Sequence, residues 1–99
     1  MRRLYNVISE SVKRELRGMP YYDSLNDVNI STTKASSYSN SEVPCLDLWF
    51  DDDVLAYDEN DESTYNEQMN EIAQYFKDTW GIRLTENNFD YNTVFAIKL

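Results

Sequence analysis

The chemistry open to this chain is that of carboxylates. Eighteen Asp and Glu stand against nine Lys and Arg, with no histidine and one cysteine, Cys45. Without histidine there is no Ser-His-Asp or Cys-His nucleophile and no imidazole metal ligand. A lone thiol can form neither an internal disulfide nor a cysteine-based zinc site. Carboxylates can still bind calcium or act in pairs as acid and base. An EF-hand loop counted from Asp51 places Glu62 correctly at its twelfth position, but Ala56 stands where glycine is required at the sixth. Counted from Asp58, the same positions hold Ser63 and Met69, and both fail. A glycosidase pair needs a cleft that raises one carboxyl pKa, and acids in exposed connections do not supply one. The expectation is therefore no catalytic residue, no metal and no cofactor.

The distribution of charge is more informative than its total of −9. Residues 1–34 carry six bases and four acids, and residues 77–99 carry three of each. Residues 35–76 carry eleven acids and no base. Those acids are Glu42, Asp47, Asp51, Asp52, Asp53, Asp58, Glu59, Asp61, Glu62, Glu67 and Glu71. Such a block costs stability through self-repulsion. One reading is solubility alone. The other is a working surface, because complementary potentials speed association and select partners. Carboxylates two apart on a strand lie ~6.8 Å apart on one face, comparable to successive phosphates. Asp51, Asp52, Asp53, Asp58, Glu59, Asp61 and Glu62 form the candidate contact set, with Tyr57 as an aromatic anchor. Trp49 fits either core or surface. Arg2, Arg3, Lys13, Arg14 and Arg17 make a small basic patch, but the chain as a whole repels phosphate, so direct nucleic-acid binding is not expected.

These residues need a scaffold. Leu, Ile, Val and Phe number 23, above the one-fifth level below which a highly charged chain stays disordered. Leu4, Ile8, Val12 and Leu16 recur at helical spacing and predict a helix over 4–17, closed by Gly18 and Pro20. Val28, Ile30 and Thr32 alternate with polar residues, as do Leu46, Leu48 and Phe50, and each set predicts a strand. Residues 35–42 are polar and serine-rich, hence a loop. Val54–Tyr57 reads as a further short strand, with Asp51-Asp52-Asp53 as the turn before it. Tyr65, Met69, Ile72, Phe76 and Trp80 predict a second helix over 64–80. Thr64 and Glu67 have capping-box spacing, and Gly81 ends the helix. A terminal hairpin pairs Ile82 and Leu84 with Phe95, Ile97 and Leu99 through a turn at Asn87-Asn88.

The expected fold is one α+β domain over 1–99, in the order α-β-β-β-α-β-β. Its sheet is antiparallel or mixed, with four to five strands and both helices on one face. No apolar leader follows Met1, and no stretch approaches the ~18 apolar residues of a membrane span. Together with the cysteine usage, this predicts a cytoplasmic setting.

The chain resembles the small acidic inhibitors of phages and mobile elements, the anti-CRISPR and anti-restriction proteins that mimic DNA. The likeness rests on size, on the base-free acidic run with Trp49 and Tyr57 beside it, and on the opening Met1-Arg2-Arg3-Leu4-Tyr5. It implies an inhibitor acting in the host cytoplasm, whose partner is a nucleic-acid-binding protein with a basic groove. A toxin-immunity protein shares the acidic surface. A phage structural or assembly component would carry it incidentally.

Self-repulsion in residues 35–76 has a measurable consequence. Raising salt from low to physiological levels should raise the melting temperature by screening the carboxylates. Thermal melts over a salt series check this, and a melting temperature that falls with salt contradicts it.

Overall fold

The computed structural model describes residues 9–34, 37–38 and 40–99. Over these described residues it is an α+β fold with two α-helices and a four-stranded antiparallel sheet. The elements are α1 (Ser9–Glu15), β1 (Leu25–Lys34), β2 (Glu42–Phe50), α2 (Ser63–Trp80), β3 (Phe89–Asp90) and β4 (Thr93–Lys98). The sheet order is β1-β2-β4-β3. The portion of the first predicted helix before residue 9 lies outside the described residues.

The register explains which side chains are buried. Val28 pairs with Leu48 and Ile30 with Leu46 across β1 and β2. Leu48 pairs with Val94 and Leu46 with Ile97 across β2 and β4. Opposed residues share a face, so these apolar positions form one inward surface. Val12 of α1 and Leu16 just after it join the same core, as do Ile72 and Phe76 from α2. Both helices therefore cover the same face of the sheet. The other face carries Trp49 and Phe95, 36% and 37% exposed. Trp49 is thus a surface residue.

Between Leu46 and Leu48 the β2–β4 register slips, because β4 holds an extra residue. Ala96 absorbs it with φ at 55°, a left-handed conformation uncommon outside glycine. Two side chains stabilise this bulge. Asp47 Oδ1 accepts from the Ala96 N–H at 2.9 Å. Asn88 Nδ2 donates to the Phe95 and Ala96 carbonyls at 3.0 and 3.3 Å. Asp47 is thus engaged in holding the sheet.

Helix α2 keeps the predicted stripe, with Ile72 and Phe76 fully buried and Tyr65, Met69 and Trp80 packed against the core. Gly81 closes it at φ 69°, where its N–H donates to the Lys77 carbonyl. The start differs from the capping-box expectation. Glu62 occupies the cap position, but its side chain makes no capping bond to the helix. Asp61 does the capping instead, accepting from Ser63 N–H at 3.1 Å and from Ser63 Oγ at 2.5 Å.

Two predicted strands are absent. Residues 54–57 form no ladder, because Val54 and Leu55 are both buried where a strand would alternate them. Leu55 sits at φ 56°, and its N–H donates to Gln68 Oε1 of α2 at 2.7 Å. Ile82 and Leu84 pack against the core outside the sheet. Asn87 and Asn88 lie in a 3-10 turn capped by Thr85. The terminal hairpin instead reverses at Tyr91-Asn92, between the paired Asp90 and Thr93.

Removing the Gln68 acceptor leaves the Leu55 N–H without its partner. Gln68→Ala should lower unfolding free energy by ~1–3 kcal/mol. Gln68→Glu, which keeps an acceptor at the same reach, should lose less. Urea titrations of both variants check the order, and equal losses would contradict it.

Candidate functional site

The connection from β2 to α2 carries seven of the eight sequence-predicted site residues as carboxylates. Asp51, Asp52, Asp53, Asp58, Glu59, Asp61 and Glu62 are all exposed. Between them Val54 and Leu55 are buried at 2% and 0% exposure. The acids are therefore displayed on a connection that is pinned at its middle.

The pinning converges on Asn92. Its carbonyl accepts from Phe50 N–H at 2.8 Å, and its N–H donates to the Leu55 carbonyl at 3.0 Å. Its side-chain amide donates to Asp52 Oδ1 at 3.3 Å. Asn92 itself sits at φ 45°, a conformation that Asn tolerates better than most residues. One turn residue thus joins the end of β2, the acidic connection and the terminal hairpin. Asp51 N–H adds a bond to the Ser24 carbonyl at 2.8 Å.

The second half of the connection is ordered locally. Asp58 Oδ1 accepts from Asn60 N–H at 2.9 Å. Tyr57 is 54% exposed. Its hydroxyl donates to Glu62 Oε1 at 2.7 Å. Its ring meets Tyr65 edge-on, with centroids 5.9 Å apart and planes at 83°. The bond to Glu62 raises the Tyr57 phenol above its usual pKa, so it stays neutral at physiological pH. The two bonds from Ser63 hold Asp61 below the usual carboxylate range.

Among the described residues, several carboxylates of the block accept hydrogen bonds from neutral donors. Thr32 Oγ1 donates to Glu42, Ala96 N–H to Asp47 and Tyr21 to Glu71. Asn92, Asn60, Ser63 and Tyr57 serve the connection as described. Such bonds orient the acids without neutralising them. Glu42 stands at the start of β2, a strand's length from Asp51. Glu67 and Glu71 face Tyr21, so they form a separate flank of α2.

Sequence reasoning missed three contributors. Glu86, Asp90 and Tyr91 line a groove together with Tyr57, Tyr65 and Met69. Their segment is neutral overall, which concealed the two acids, and only the hairpin brings them beside Tyr57. Cys45 is buried at 4% exposure. Burial first, then Asp47, push its thiol pKa up, with Lys98 opposing, so it is a poor nucleophile. Among the described residues, no group of three or more His, Cys, Asp or Glu is arranged to hold a metal ion. No described helix is long and apolar enough to cross a membrane.

No protein-family model, curated protein or solved structure matches this chain.

Tyr21 gives the acidic surface a pH dependence. Its hydroxyl donates to Glu71 Oε2 at 2.6 Å. That bond first, then burial and the charges of Glu71 and Glu67, push its pKa from 10.0 to about 12. The folded protein therefore holds this proton more tightly than the unfolded chain. The resulting stabilisation is intact below pH 10 and is lost as pH rises towards about 12. Tyr57, Tyr65 and Tyr75 are raised in the same direction. Tyr21→Phe should cost ~1 kcal/mol near neutrality and flatten the decline between pH 10 and 12. Urea titrations at pH 8 and 11 measure both effects, and an unchanged decline would remove Tyr21 as its source.

Proposed function

We propose that this is an interaction protein that inhibits a nucleic-acid-binding protein by occupying its basic groove. The contact set is Asp51, Asp52, Asp53, Tyr57, Asp58, Glu59, Asp61 and Glu62. The observation that supports this reading most is the way the acids are displayed. Seven exposed carboxylates stand on a connection fixed to the core by Val54 and Leu55. A surface needed only for solubility has no use for fixed acids, whereas a phosphate mimic gains from charges held in register. Pre-ordering also lowers the entropic cost of association.

Electrostatic recognition of this kind acts mainly on association rate, and salt weakens it. Asp53 and Glu59 suit a test, because both are exposed and the structure gives neither a side-chain hydrogen bond. Their reversal should leave the fold intact.

The test starts with capture of the partner from the presumed host and its identification by mass spectrometry. Binding kinetics then compare wild type with the Asp53→Lys/Glu59→Lys variant. The variant should associate at least tenfold more slowly, on the order expected for reversed rim charges. The wild type should lose affinity with salt, and DNA should compete for the partner. Unchanged binding by the folded variant removes the acidic surface from the mechanism. Loss of binding without DNA competition points to a toxin neutralised at another surface.

A further inference from the structure

A groove of about 630 Å³ lies beside the acidic connection, where α2, the 3-10 turn and the β3–β4 turn meet. We propose that it binds an arginine side chain. The groove combines three tyrosines, Tyr57, Tyr65 and Tyr91, with two carboxylates, Glu86 and Asp90, and the thioether of Met69. No basic residue is among the residues that line it.

Each component matches a part of the guanidinium group. A cation is attracted to the face of an aromatic ring, and guanidinium stacks on such faces. Tyr57 and Tyr65 stand nearly perpendicular, at 83°, so they present surfaces in two directions. The bond from Tyr57 to Glu62 keeps the first ring in place, and packing of Tyr65 against the core fixes the second. Tyr91 is half exposed, at 51%, and is free to lie along a ligand. Met69 offers a polarisable surface to the aliphatic stem. The carboxylates accept from the guanidinium fork. Asp90 Oδ1 is oriented by Tyr91 N–H at 2.7 Å, and its charge reaches the Tyr65 hydroxyl. The two carboxylates select for a cation with directional donors, which a quaternary ammonium lacks. Lysine could satisfy the charge but has no planar face to set against the rings.

The pocket's chemistry stands on its own residues. That the arginine comes from a basic partner rests on the acidic-surface reading. An arginine there would sit beside the 51–62 carboxylates, giving a broad electrostatic contact a specific anchor.

The probe is N-acetyl-arginine-methylamide, titrated into the full chain at constant ionic strength and followed by the tyrosine ring resonances in NMR. The lysine analogue and tetramethylammonium serve as comparisons. The arginine probe should shift the Tyr57, Tyr65 and Tyr91 rings saturably and bind more tightly than either comparison. Tyr91→Ala and Asp90→Asn should each weaken it by about threefold or more. Asp53→Lys/Glu59→Lys should change it by less. Unshifted rings, or shifts indifferent to both pocket variants, would overturn the site. Tighter binding of tetramethylammonium would overturn the guanidinium assignment. Tyr91 lies in an exposed turn and Asp90→Asn keeps the Oδ1 acceptor, so both variants should fold, which unchanged core resonances verify. The blocked arginine tests the pocket without any partner. Failure of partner binding and failure of the pocket are therefore separate results.

Discussion

The acidic display depends on the burial of Val54 and Leu55. Like charges crowded into one connection repel, and chain entropy also favours letting them spread. A pair of apolar side chains at the middle of that connection opposes both effects. Full burial of a Val or Leu contributes ~1.5–3 kcal/mol each, while repulsion between exposed neighbouring carboxylates amounts to a few tenths per pair. The left-handed backbone of Leu55 subtracts ~1–2 kcal/mol. Burial therefore prevails, and Leu55's backbone bonds to Gln68 and Asn92 hold it in the one conformation that fits.

That constraint links elements far apart in sequence. Gln68 belongs to α2 and Asn92 to the terminal hairpin, so the connection is read by both at once. Asn92 also accepts from Phe50, the last residue of β2. The hairpin consequently arrives beside Tyr57 with Asp90 and Tyr91 in position, which creates the groove. The β4 bulge acts at the sheet's other junction. Ala96 turns left-handed under the hold of Asp47 and Asn88, so Val94 and Ile97 both face the core despite lying three residues apart. In a regular strand, residues three apart point to opposite faces, and one of them would join Trp49 and Phe95 on the open face.

The parts of this fold that were legible are those with a clean period. The α2 stripe repeats at helical spacing and is buried as expected. The alternation of Leu46, Leu48 and Phe50 specifies a strand with one core face. Legibility fails where single hydrogen bonds decide. Val54–Tyr57 has strand-like composition, but a side-chain acceptor on α2 and a left-handed Leu55 replace the ladder. Asn87-Asn88 and Tyr91-Asn92 are both sound turn sequences. Thr85 caps the first into a 3-10 turn, leaving the second to reverse the chain. At the start of α2, Thr64 has the right spacing but lies inside the helix, and Asp61 and Ser63 form the cap.

The same distinction applies to the candidate site. Exposed acids in a connection are visible as a run of one charge, and every one of the seven is exposed in the structure. The aromatic groove is not visible that way, because its residues come from three segments and two of its acids lie in a neutral stretch. A charge run locates where a partner is attracted. In the reading proposed above, rigid aromatic surfaces set by tertiary contacts select which side chain of that partner stays. Tyr57 is where the two overlap. It interrupts the acidic run, its hydroxyl is fixed by one member of that run, and its ring forms a wall of the groove. The acidic connection and the groove are thus joined at a single side chain, held there by the buried pair that precedes it.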